Sequence, residues 1–355
     1  MDLHREFENI ISRKKPNYSI SPELMLYLAR YQRYYHFDVE YEDLLRWEHS
    51  MAVLDESGKD TLWRSVMYPN HEQEEIHNSL RRIYVYLTAD SDHGVMEHLR
   101  VASVDYCLFG NSNPFRIKII NMLNDNHDYY YIKRADASRV YGLELEEMLS
   151  PNKVFYLVNE ATLVEQHISG IPGDQFLSSS IIETGHNPVR LAKEFVKFNT
   201  RCFARLLGDM RSYNFVVDMT PDFDQMQYRI RAIDFDQQSY EGRKNIYLPQ
   251  FFKENYAFVD MALSKLGNES IEQYQNEERS LMRRRVGANR YQLQRLIRAM
   301  RKDKISDARR VATLKRQLAE HHEDKGFLRL SNMGSILFKH INLSLELKLR
   351  IPPIK

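Results

Sequence analysis

Three carboxylates and an amide are spaced along one stretch, "LLGDMRSYNFVVDMTPDFDQMQYRIRAIDFDQQSY", which runs from Leu206 to Tyr240. Asp209 precedes Asn214 by five residues, two apolar strand-like runs follow, and the second ends in Asp234 and Asp236. A carboxylate at the end of an apolar run is costly unless something charged meets it there. Hard oxygen donors of this kind suit magnesium, which keeps several waters and needs few side chains. A metal–phosphate complex is therefore the partner this spacing predicts. Transfer chemistry on such a complex also needs a lysine on a strand to meet the phosphates and an acid to hold that lysine. Lys133, in "YYYIKRA", is a strand-borne lysine of that kind.

The elements that must position these groups are legible around them. "VASVDYCLFG", "FRIKIINML" and "HDYYYIKRA" read as strands, rich in β-branched and aromatic residues. The first two are joined by "GNSNP", a turn signal. "ASRVYGLELEEML" reads as a helix capped by Ser138, and "KVFYLVN" and "ATLVEQHIS" as two further strands. This predicts a compact α+β lobe over residues 99–170. Residues 171–355 are mainly helical, apart from a hairpin whose polar tip, "TPDFDQ", leaves Asp218, Asp222 and Asp224 in solvent. Residues 1–98 read as a helical N-terminal extension. In it, "SPELMLYLARYQRYY" has a Ser21 cap, Pro22 in the first turn, and Leu24, Leu28, Tyr31 and Tyr35 on one face. "HEQEEIHNSLRRIYVYL" places acids early and arginines late, as the helix dipole favours. On the wheel of the 137–149 helix, Val140, Tyr141, Leu145 and Met148 define an apolar face. Glu144 falls inside that face, Glu147 at its edge and Glu146 outside it. A charge within an apolar face needs a partner, so a Lys133–Glu144 ion pair is expected, with Glu147 the second choice.

Asp209 and Asn214 fit the Asp-x-x-x-x-Asn spacing of a kinase catalytic loop. On these residues the chain resembles the aminoglycoside phosphotransferase and choline kinase branch of the protein-kinase-like superfamily, over roughly residues 101–260. "LVEQHISGIPGDQFL" resembles the hinge of that branch through Glu165, Ile168 and Gly170. "LGDMRSYNFVV" resembles its Gly-Asp catalytic loop, and "AIDFDQ" its Ile-Asp-Phe/Trp-acid segment. The resemblance implies a bilobal protein-kinase-like fold with an ATP cleft between two lobes. It implies Asp209 as catalytic base, Asn214 and Asp234 as magnesium ligands, and Asp236 as either a second ligand or a solvated acid. Lys133, Glu144, Glu165, His167 and Gly110 would serve the nucleotide. Two departures stand out: Leu207 replaces the histidine common before Gly-Asp, and the phosphate-covering turn has only Gly110. The expected activity is ATP- and Mg2+-dependent phosphoryl transfer to a hydroxyl acceptor, either a small molecule or a protein. The alternatives are a nucleotide-binding pseudokinase, a protein nucleotidyltransferase on the same fold, and a nucleic-acid-binding protein.

The last alternative rests on charge. Of 355 residues 43% are hydrophobic and 28% charged, the pattern of a globular chain, and the net charge is only +1. Yet Arg279–Arg316 holds 14 Lys and Arg against 2 acids, which leaves 36 basic and 47 acidic residues elsewhere. This basic segment, 279–316, reads as helix interrupted near Gly287, with Leu293, Leu296, Ile297 and Met300 as a buried stripe. Its arginines form either a solvated face or a site for an anionic partner. Cys107 and Cys202 lack metal-ligand spacing and fit a reducing cytoplasm. His321 and His322 have no companion ligands nearby and are expected to face solvent. No apolar run is long enough to span a bilayer and the start has no apolar signal core, so no membrane partner is expected.

Overall fold

The computed structural model describes residues 15–88, 93–108, 112–178, 187–223 and 225–350. The α+β class is as expected, and the chain divides into two compact units.

The first unit comprises the described residues up to Ile20 together with Gln32–Asp136 and Phe155–His167. Its frame is a seven-stranded antiparallel sheet in the order β1-β2-β3-β4-β5-β7-β6. The strands are β1 (His49–Leu54), β2 (Asp60–Met67), β3 (Leu99–Cys107), β4 (Phe115–Asn121), β5 (His127–Arg134), β6 (Tyr156–Asn159) and β7 (Thr162–Gln166). Side chains alternate across a strand, and the sequence exploits this. Phe115, Ile117 and Ile119 of β4 and Tyr130 and Ile132 of β5 are buried in one core, together with Ile76, Leu80 and Ile83 of the Asn70–Thr88 helix. Tyr130 donates its hydroxyl hydrogen to the Leu80 carbonyl at 2.8 Å, so even the polar end of this core is satisfied. Each such apolar side chain contributes about 1.5–3 kcal/mol on burial.

The expected boundary at residue 98 does not correspond to the packing. β1, β2 and the Asn70–Thr88 helix all belong to the sheet unit and not to a separate helical extension. β1 is nearly all exposed and β2 only partly buried, so neither strand carries the in–out alternation that makes a strand legible.

The second unit comprises Ser21–Tyr31, Ala137–Val154 and the described residues from Ile168 onward. The Pro22–Arg30 helix starts as expected, with Ser21 Oγ accepting from the Leu24 amide at 3.2 Å. The Ala137–Leu149 helix also lies here, packed on the Pro188–Arg205, Asn268–Ala288 and Arg290–Met300 helices. It was expected within the 99–170 lobe. All its residues except Glu147 are buried, so it has no solvent face, and Ser138 lies inside it with its hydroxyl donating to the Gln238 carbonyl at 2.6 Å. A small sheet, β10-β9-β8, is formed by β8 (Ile171–Pro172), β9 (Phe215–Asp222) and β10 (Gln225–Ala232). Gly170 enters it at φ +146°, where an added Cβ would stand 2.8 Å from Val216, so both the backbone and the space require glycine. In the basic segment the helix ends at Ala288 and restarts at Arg290, close to the expected break, and Leu293, Leu296, Ile297 and Met300 are fully buried. His321 is exposed as expected. His322 is half-buried instead, with its Nε2 2.9 Å from His340 Nδ1, and burial pushes it down to about 4. No helix among the described residues is long and apolar enough to cross a membrane.

Candidate active site

In the second unit the site begins where the Pro188–Arg205 helix stops. Leu206 takes the left-handed conformation at φ 53° and turns the chain out of the helix. Leu207, in the place of the expected histidine, is fully buried and bridges to Gln238. Gln238 fixes the turn further, donating its side-chain amide to the carbonyls of Arg205 at 2.6 Å and Leu206 at 3.2 Å. Asp209 follows at φ 58°, a conformation that aspartate tolerates better than most residues. Its backbone amide donates to Ile246 at 3.1 Å.

The open end of the β9–β10 hairpin gathers the remaining groups. Phe215 and Ala232 form its last registered pair. One step further out, the Ile233 amide donates to the Asn214 carbonyl at 3.0 Å, which places Asp234 next to Asn214. The Asn214 side-chain nitrogen donates to the Asp209 carbonyl at 2.8 Å. That bond uses the amide nitrogen and leaves Oδ1, the atom a hard cation takes, without a hydrogen-bond donor among the described residues. One Asp234 oxygen accepts from the Asp236 amide at 3.0 Å. The donor set fits magnesium, which binds through one or two side chains plus waters and phosphate oxygens. Among the described residues no group of three or more His, Cys, Asp or Glu is placed to hold a metal. Asp236 is not a solvated acid: it is buried and ion-paired with Arg139 of the Ala137–Leu149 helix.

Asp209 has a partner that sequence reasoning missed. Arg211 Nε donates to its carboxylate at 2.8 Å, while Nη1 reaches Glu254 at 2.7 Å. Burial pushes the Asp209 carboxyl above the usual carboxylate range, and the Arg211 hydrogen bond opposes that rise.

In the first unit Lys133 lies on β5 opposite Leu163 of β7, with Glu165 two residues along on the same face. The two side chains form an ion pair, both largely buried. His167 continues this face, its Nδ1 3.3 Å from the Tyr131 hydroxyl, and burial lowers its pKa, so it is neutral near pH 7. Asp105 and Arg116 make a second pair on the sheet, at 2.9 Å. The expected Lys133–Glu144 pair is thus not the one formed. Glu144 is fully buried and accepts from the Tyr27 hydroxyl and from Gln292 Nε2 at 3.1 Å. A carboxylate in an apolar face did need partners, and two neutral donors, Tyr27 and Gln292, are among them. Glu146, expected outside that face, is also buried, paired with Arg205. Gly110 lies outside the described residues.

No protein-family profile and no curated protein sequence matches the chain. Among solved structures it is similar to the autoinhibited serine kinase domain of the giant muscle protein titin, with 11% identity and a TM-score of 0.26, over 72% of this chain and 83% of that one. It is also similar to titin kinase with its flanking domains, with 9% identity and a TM-score of 0.28, over 79% of this chain and 61% of that one. At these values the likeness carries no argument about this chain. Neither of the two is an aminoglycoside phosphotransferase or a choline kinase.

Proposed function

We propose that the chain is an ATP- and magnesium-dependent phosphotransferase of the kinase-like class acting on a hydroxyl acceptor. The observation that carries this reading is the convergence of Asp209, Asn214 and Asp234 at the open end of the β9–β10 hairpin. Asp209 takes the acceptor's proton. Asn214 Oδ1 and an Asp234 oxygen would hold the magnesium ion, which would supply positive charge against the phosphates. In the first unit Lys133, ion-paired with Glu165, is a cation of the kind that meets phosphate oxygens as a point charge. The test is labelled ATP with protein, RNA and small-hydroxyl acceptors, following the γ- and the α-phosphate separately. Transfer of the α-phosphate would assign nucleotidyl transfer to the same residues.

Two further results are expected. Asp234→Asn removes most of the magnesium-dependent part of the rise in melting temperature caused by ATP. A magnesium effect of undiminished size in that variant would take Asp234 out of the metal site. Glu165→Gln weakens Mg-ATP binding about tenfold, the effect of losing roughly 1.4 kcal/mol of phosphate positioning. Glu144→Gln stays within about threefold, because its partners are Tyr27 and Gln292. The opposite ranking in calorimetric titrations would restore Glu144 as the lysine's partner.

The second reading, a nucleotide-binding pseudokinase, is favoured by the same engagement of Glu144 and by Leu207. It predicts magnesium-dependent ATP binding with no phosphate leaving ATP for any acceptor.

A further inference from the structure

A cavity of about 560 Å³ lies in the second unit between the 243–252 segment and the Ala308–His321 helix. Its size falls in the range that encloses small molecules. Two fastenings join it to the catalytic loop. Ile246, in its wall, accepts the backbone hydrogen bond of Asp209 at 3.1 Å. Phe252, also in its wall, lies under the guanidinium of Arg211 at 5.0 Å, and Arg211 in turn holds the Asp209 carboxylate. A third bond, from the Lys244 amide to Gln317 Oε1 at 2.6 Å, ties the segment to the helix on the far side. The cavity wall is thus one hydrogen bond from the Asp209 backbone, although Asp209 itself does not line it.

Its charge is unusual for this chain. Arg243 and Lys244 both line it, and neither makes an ion pair among the described residues. Nearby Arg310, by contrast, is taken by Asp307 and Glu241. Glu320 is the one acid in the lining. His321, exposed as a residue but with its ring partly covered, is held below the ordinary histidine value by that partial burial and by Lys244 and Arg279 near it. Phe251, 58% exposed, supplies an apolar wall beside the cations. Two cations without ion-pair partners at a cavity with a single acid favour an anion there, and an arginine fork beside an ammonium suits the several oxygens of a phosphate.

We propose that this cavity is the acceptor site and that the acceptor is a small hydroxyl compound already carrying a phosphate group, bound by Arg243 and Lys244. The proposal rests on the reading of Asp209 as the base. In the step that follows, the acceptor oxygen bonds to the γ-phosphorus of ATP and its proton passes to Asp209. The bond from the γ-phosphorus to the bridging oxygen breaks, and the electron pair leaves on ADP.

The test is titration of inorganic phosphate into the full chain, followed by phosphorus NMR, in the wild type, in an Arg243→Gln/Lys244→Gln double variant and in Asp234→Asn. Saturable binding is expected in the wild type, weaker by about tenfold or more in the double variant and unchanged in Asp234→Asn. Arg243 is exposed and Lys244 half-buried, so the double variant is expected to keep the wild-type melting transition, checked by circular dichroism. Absence of saturable binding, equal binding in the double variant, or a loss confined to Asp234→Asn would each overturn the proposal. Mg-ATP binding, measured separately on the same wild-type preparation, reports on the kinase reading. Its absence would remove that reading while leaving the phosphate result to stand or fall alone.

Discussion

Replacing Asp209 by Asn is expected to lower turnover by about 10²–10⁴-fold while Mg-ATP affinity changes by no more than about threefold. Asparagine keeps the shape of the side chain and can still meet Arg211, but it cannot take a proton from the acceptor. The carboxyl of Asp209 is raised by burial, so protonation removes the base at a higher pH than for an ordinary aspartate. Turnover should therefore fall as pH drops through that raised value. Arg211→Gln removes the group that opposes the rise, so it should move the acid limb of the profile to still higher pH. Binding and turnover are to be measured on one preparation, because a misfolded variant loses both. An Asp209→Asn enzyme as fast as the wild type would exclude Asp209 from the chemistry.

The largest expected loss of stability comes from Arg201→Met. Arg201 is 2% exposed and pairs with Glu194 at 2.7 Å and Glu278 at 3.4 Å. It also donates to the Ile230 carbonyl at 3.1 Å, so one side chain links the Pro188–Arg205 helix, β10 and the Asn268–Ala288 helix. Removing it takes the guanidinium from the buried Glu278 and the half-buried Glu194 at once. Breaking a buried pair in this way costs about 3–5 kcal/mol. Denaturant unfolding of wild type and variant measures it, and a loss below about 1 kcal/mol would show that water or rearrangement replaces the guanidinium.

The parts of the molecule that the sequence made legible are those governed by local periodicity. β4 and β5 could be read because one face is buried, so Ile117 and Ile119 alternate with Arg116 and Lys118. β1 could not, since burial never imposed a pattern on it. The Asp209–Asn214 spacing was informative because one short bond, from the Asn214 side chain to the Asp209 carbonyl, closes that loop. The partner of Lys133 was not readable, because it depends on how β7 is registered against β5. A helical wheel sorts residues by inside and outside, and the Ala137–Leu149 helix has almost no outside. Glu144 and Glu146 therefore both needed partners from helices distant in sequence, and Gln292 and Arg205 provide them. Glu254 is a partner of the same distant kind, 43 positions from Arg211, whereas Arg211 stands only two residues from Asp209 and its hold on that carboxylate depends on the turn at Asp209.

The near-complete enclosure of the Ala137–Leu149 helix also governs how the gene can vary. A surface helix offers half of its positions to almost any polar residue, whereas here only Glu147 is not buried, and even its carboxylate accepts from the Val154 amide at 2.9 Å. Gly142 has no room for a methyl group, with an added Cβ 2.9 Å from Phe235, and Arg139, Glu144 and Glu146 each answer to a specific buried neighbour. In a library of single substitutions this stretch should be the most depleted of survivors, and changes accepted there should come paired with changes at Tyr27, Arg205, Asp236 or Gln292.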